Sequence, residues 1–131
     1  YFLLIVWVGL INLSCKHQHD TVQDPLYDEV MFIHDNVMPK MSTMHHYKKQ
    51  LKALKEKHPS YNEKILSTIG ILEKADEGMM DWMAKFKIPE NKNDIKPYLE
   101  TEKIKIQKVS DDMYQSMEMA KVLVDSLNSI Q

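Results

Sequence analysis

Three long stretches of the chain place apolar residues at alternating steps of three and four. That spacing puts them on one face of an α-helix. The first runs through Val30, Ile33, Val37, Met44, Tyr47, Leu51 and Leu54, with Lys40 as its one polar break. The second carries Ile65, Ile69, Leu72, Met79, Met83 and Phe86, interrupted by Asp76. The third holds Leu99, Ile106, Val109, Met113, Ala120, Leu123, Leu127 and Ile130 on a heptad seam, with Glu102 and Ser116 as polar members. No stretch alternates apolar and polar residues with the period of two that a half-buried strand requires.

Punctuation sets the ends of these segments. Pro25 suits a first helical turn and Asp24 a cap before it. His58 precedes Pro59, and a residue before proline avoids the α region, so the first helix is expected over about 25–58. "SYNE", Ser60 to Glu63, reads as a capping box opening a second helix over about 60–88. Gly70 and Gly78 weaken it by about 1 kcal/mol each relative to Ala and are expected to let helices approach closely. The third helix is expected to begin near Asp94 to Pro97 and to span about 95–130.

Pro39 lies inside the first segment. It cannot donate to the Asp35 carbonyl, and its ring crowds that turn. Either the helix bends there or two helices meet; one helix kinked at Pro39 is the expectation. Three amphipathic helices with short links predict an all-α fold, an antiparallel three-helix bundle with coiled-coil-like packing.

Composition fits one helical domain: 131 residues with 44 % hydrophobic, 27 % charged, three Gly and five Pro. The net charge of −2 and the absence of Arg among seventeen basic residues argue against nucleic-acid binding. The lysines of "HHYKKQLKALKEKH" read as a solvated helix face or as a surface for anionic lipid headgroups.

The N-terminal residues change the picture most. "FLLIVWVGLINLSC" is a largely apolar run of twelve residues, Phe2 to Leu13, followed by Ser14 and the only cysteine, Cys15. Twelve residues are too few to span a membrane, for which about twenty are needed, but they suit a secretory signal. The small residue before Cys15 matches a bacterial lipobox, with the departure that Asn12 stands where the pattern has Leu. Residues 1–14 therefore read as a lipoprotein signal peptide. The chain opens at Tyr1 without an initiator Met or basic region, which reads as a truncated start. Cys15 is the expected attachment point of acyl chains such as palmitate, and residues 15–24 a polar tether. The helical domain is expected over 25–131, on the periplasmic side of a bacterial envelope. A single cysteine leaves no intramolecular disulfide.

"MFIHDNVMPKMSTMHH", residues 31–46, packs four Met and three His into sixteen positions. His34, Met38, Met41 and His45 fall at steps of four, three and four, one stripe of the helix. Thioether and imidazole donors suit Cu(I), so the stripe reads either as core-adjacent packing or as a soft-metal site, with Met79, Met80 or Met83 as further donors. Packing is the stronger reading: Met fills irregular gaps, and Met113, Met117 and Met119 occur with no His nearby. His17 and His19 lie in the tether.

Enzyme motifs are missing. No Glu-x-x-His precedes any histidine, and H-E-x-x-H, a Gly-rich phosphate loop and a haem-attachment motif are absent. Asp111 and Asp112 are adjacent and diverge on a helix.

"DEVMFIHDNVMPKM", "MMDWMAKF" and "YLETEKIKIQKVSDDM" resemble a family of small Bacteroidota lipoproteins that often carry the label "viral A-type inclusion protein". The resemblance covers most of the chain after Cys15. It implies an envelope lipoprotein with a helical domain and no known activity. The combined expectation is a non-enzymatic, membrane-anchored module with an envelope protein partner and no nucleic acid. The alternative is a periplasmic copper-binding protein using the His34–His45 stripe.

Overall fold

The structure, a computed structural model, describes residues 24–130, and these are helical with no strand. The expected signal segment, Cys15 and most of the expected tether lie outside the described residues. Four α-helices follow in order: α1 Pro25–Val37, α2 Met41–Lys57, α3 Asn62–Lys85 and α4 Lys92–Asn128. A single 3-10 turn, Met38–Lys40, joins α1 to α2, so the two occupy the first predicted helix as one column. Backbone angles stay right-handed helical through this turn. The Met38 N–H still reaches the His34 carbonyl, and the Met41 N–H reaches the Met38 carbonyl. Pro39, with no N–H, is accommodated by the tighter 3-10 pattern.

The apolar seams meet in one core. α4 packs against α1, α2 and α3, and α2 also packs against α3. Val30, Val37, Met44 and Leu51, seven residues apart, are fully buried from the first column. α3 contributes Ile65, Leu72 and Met79, and α4 contributes Leu99, Ile106, Met113 and Leu127, all at 0 % exposure. The polar seam members of α4 are buried too. The Ser116 hydroxyl donates to the Met113 carbonyl at 2.8 Å, so it enters the core already satisfied.

Asp24 caps α1 as expected, its side chain accepting from the Leu26 N–H at 2.9 Å. Three boundary expectations need correction. Ser60 makes no capping bond: Pro59 starts a 3-10 turn over Pro59–Tyr61, which leaves Tyr61 in the cap position of α3. The chain leaves the helix after Lys85 and turns extended at Phe86, short of the expected residue 88. α4 starts at Lys92 because the Asn91 side chain accepts from the Asn93 N–H at 3.0 Å, so Pro97 lies inside the helix rather than at its start. Gly70 and Gly78 also serve no close approach, since a Cβ at either would meet nothing within 4 Å. Ile130 is 42 % exposed, because α4 ends at Asn128 before the seam returns to the core.

Candidate functional site: the histidine–methionine flank and the surfaces beside it

The fully buried Val30–Val37–Met44–Leu51 row fixes how the first column is oriented. His34, Met38, Met41 and His45 then fall on one flank of that row, and cross-helix neighbours identify it as the flank facing α3. The His34 ring lies 5.7 Å from the Trp82 ring. His45 Nε2 is 3.2 Å from an Asp76 carboxylate oxygen, and Lys48 Nζ is 3.5 Å from the same oxygen. Met38 and Met41 are half-buried between them and pack against the core. The stretch of α3 between Asp76 and Trp82 carries Met79, which is buried, and Met80, which is 52 % exposed; Met83 follows, half-buried.

The two histidines are therefore held separately. His34 Nδ1 is 2.8 Å from the Asp35 carboxylate, and its ring packs on Trp82. His45 is largely exposed and shares Asp76 with Lys48. The other Asp76 oxygen is buried with no hydrogen-bond donor. Eleven residues separate the two imidazoles, roughly 16 Å along a helix axis, so one ion cannot take both. Among the described residues no three His, Cys, Asp or Glu side chains cluster for a metal.

Trp82 anchors the end of the bundle where α1, the end of α3 and the start of α4 meet. Its ring lies 4.8 Å from Phe86, which in turn lies 6.3 Å from Tyr27 and 5.9 Å from Tyr98. The Trp82 indole N–H donates to Glu102 at 2.9 Å, and Lys105 donates to the other Glu102 oxygen at 2.6 Å. Both Trp82 and Glu102 are buried. A carboxylate out of water needs such donors; here an indole and an exposed ammonium supply them. The bond to Glu102, and then its charge, hold the Lys105 ammonium above its usual range. Burial pushes the Tyr98 phenol up, partly offset by the Lys87 N–H that donates to its oxygen at 2.7 Å.

The sequence places Glu102 on the α4 seam but assigns it no partner. A carboxylate at a seam position and an indole next to the seam residue Met83 were the available signal.

Two surface grooves flank the bundle. One, about 420 Å³, lies between α1 and α4 and is lined by Asp28, Glu29, Phe32, Ile33 and Lys103. Lys103 and Glu29 form an ion pair across it. Phe32 is 70 % exposed, and Ile104, next to Lys103, is 74 % exposed. The other, about 400 Å³, lies between α3 and α4, with Ile71 and Ala75 in its wall beside Lys74, Lys108, Asp112 and Gln115. Among the described residues no helix is long and apolar enough to cross a membrane. The chain matches no protein-family model, no curated protein and no solved structure.

Proposed function

We propose that this chain is a non-enzymatic envelope lipoprotein whose helices form an antiparallel three-helix bundle serving as a protein-interaction module. The anchoring half rests on sequence: the apolar run ahead of Ser14–Cys15, acylation at Cys15, and the resemblance to Bacteroidota lipoproteins. The antiparallel arrangement is supported by the order of cross-contacts. Tyr27 meets Phe86, His34 meets Trp82 and Lys48 meets Asp76, so one column ascends as the other descends. The 3-10 turn at Met38–Lys40 supports a bend of the first column at Pro39.

The observation that carries the interaction half is the α1–α4 shoulder. Phe32 and Ile104 stay largely in water beside a groove while Val30 and Ile106, each two residues away, are fully buried. Aromatic side chains at the edge of a groove are typical anchors for a partner. A photo-crosslinking residue at position 32 in intact envelopes tests it. A protein adduct of one defined mass is expected at position 32 and none at Glu73, which is exposed on α3. No adduct at 32, or the same smear at both, refutes the interaction half.

A second reading is favoured by one feature: the stripe and the methionine-rich part of α3 lie on the same flank. In it, Cu(I) binds part of the stripe, His34, Met38 and Met41, with an α3 methionine completing the set. His45 is left to Asp76. Titration of Cu(I) into the purified protein tests this. Binding no tighter than micromolar, or binding unchanged by His34→Ala with Met38→Ala, refutes it.

A further inference from the structure

Lysines are not used alike across the bundle. On α3 and α4 five of the nine lie in ion pairs: Lys85 with Asp81, Lys105 with Glu102, Lys108 with Asp112, Lys121 with Asp125, and Lys103 with Glu29 of α1. α2 carries five lysines against a single carboxylate, Glu56, in a chain of net charge −2. Of the five, only Lys48 has an acidic partner among the described residues, Asp76 of α3. Lys49, Lys52 and Lys57 are exposed, and none lies within 4 Å of a carboxylate among the described residues.

The three point the same way. At about 100° per residue they fall within an arc of roughly 140° centred opposite the buried Leu51. Glu56 is the one acid in that arc, and Ala53 leaves its middle low. Three of the five α2 lysines therefore share one exposed face, away from the core.

We infer that this Lys49–Lys52–Lys57 face docks on an anionic phospholipid surface, laying the α1–α2 column along the membrane that holds the chain. The inference rests on the anchoring reading, which puts a lipid surface within reach. Eight residues lie between Cys15 and the first described residue, Asp24, at most about 30 Å of extended chain. The α1–α2 column is 33 residues, roughly 50 Å, so a column tethered at one end can lie flat. Ammonium groups are compact point charges without the fork that reads one phosphate in a fixed geometry. A lysine-only face therefore suits a diffuse field of headgroup phosphates.

The test uses the full acylated chain in vesicles of phosphatidylcholine alone, or with about 30 % phosphatidylglycerol, and reads lysine reactivity toward an amine-specific label by mass spectrometry. Labelling of Lys49, Lys52 and Lys57 is expected to be roughly fivefold slower on the anionic vesicles. Lys85 and Lys108 should label equally on both, and protection should vanish at about 0.5 M salt. Equal rates at the three lysines on both vesicles overturn the inference. So does protection in native membranes that neither vesicle reproduces, which assigns the face to an acidic protein. Release of the chain from neutral vesicles is the separate failure of the anchoring reading. Retention and protection on anionic vesicles alone would still support the lysine face.

Discussion

The Trp82–Glu102 bond is the least expected contact in the core, and a double-mutant cycle weighs it. Trp82→Phe keeps an aromatic ring against Phe86 and His34 but removes the N–H that reaches Glu102 at 2.9 Å. A buried hydrogen bond to a charged group contributes about 1.5–3 kcal/mol, and a buried acceptor stripped of its donor costs about 1–3 kcal/mol. Lys105 still reaches the other oxygen, which limits the loss. Together these give about 2–3 kcal/mol for Trp82→Phe. Glu102→Leu removes the buried carboxylate and strands the indole N–H instead. Its cost is offset by roughly 1.5 kcal/mol or more of added apolar burial, leaving a net of about 0–1 kcal/mol. In the double variant neither group is left without a partner, so its loss should be about 1 kcal/mol, well below the sum of the single losses. Urea unfolding followed by circular dichroism at 222 nm reads all four proteins. A coupling of about 1.5 kcal/mol or more is expected, corresponding to a melting shift of roughly 6 °C or more in a domain of this size. Losses that add within about 0.5 kcal/mol would refute the claim that this pair is a unit.

Other outcomes follow from the same structure. Gly70→Ala and Gly78→Ala should each stabilise by about 0.5–1 kcal/mol, because helical glycine costs that much and the new methyl meets nothing; a loss at either site in the same urea series would show a hidden close contact. Met44→Ala, at 0 % exposure, should cost about 2–5 kcal/mol in that assay, whereas Phe32→Ala on the exposed shoulder should stay within about 0.5 kcal/mol. Tyr98 and Lys105 both hold their protons more tightly folded than unfolded, so stability is complete below the ordinary tyrosine value of 10.0 and falls as pH rises past it. Tyr98→Phe should flatten that alkaline decline, and an unchanged slope above pH 10 would contradict the assignment.

The seams were legible because helical periodicity is local. On α4, Leu99, Ile106, Met113, Ala120, Leu123 and Leu127 are all buried, and the polar members Glu102 and Ser116 go in with them. What Glu102 pairs with was not legible, since Trp82 is twenty residues away and on another helix. Ends were read less well for a similar reason. The Ser60 cap failed because Pro59 redirects the backbone into a 3-10 turn first, and the third helix began early because Asn91 caps it before Asp94 is reached. The stripe of His34, Met38, Met41 and His45 was legible as one face. That it turns toward α3, with one imidazole on Trp82 and the other on Asp76, depends on how the helices pack.

The anchoring proposal meets its most direct test in the mass spectrum of the chain recovered from its native membrane. The expected species begins at Cys15 and carries attached acyl chains on that residue, read from the mass of its N-terminal peptide. A chain that keeps residues 1–14, or one that begins at Cys15 without fatty acid, would contradict the proposal.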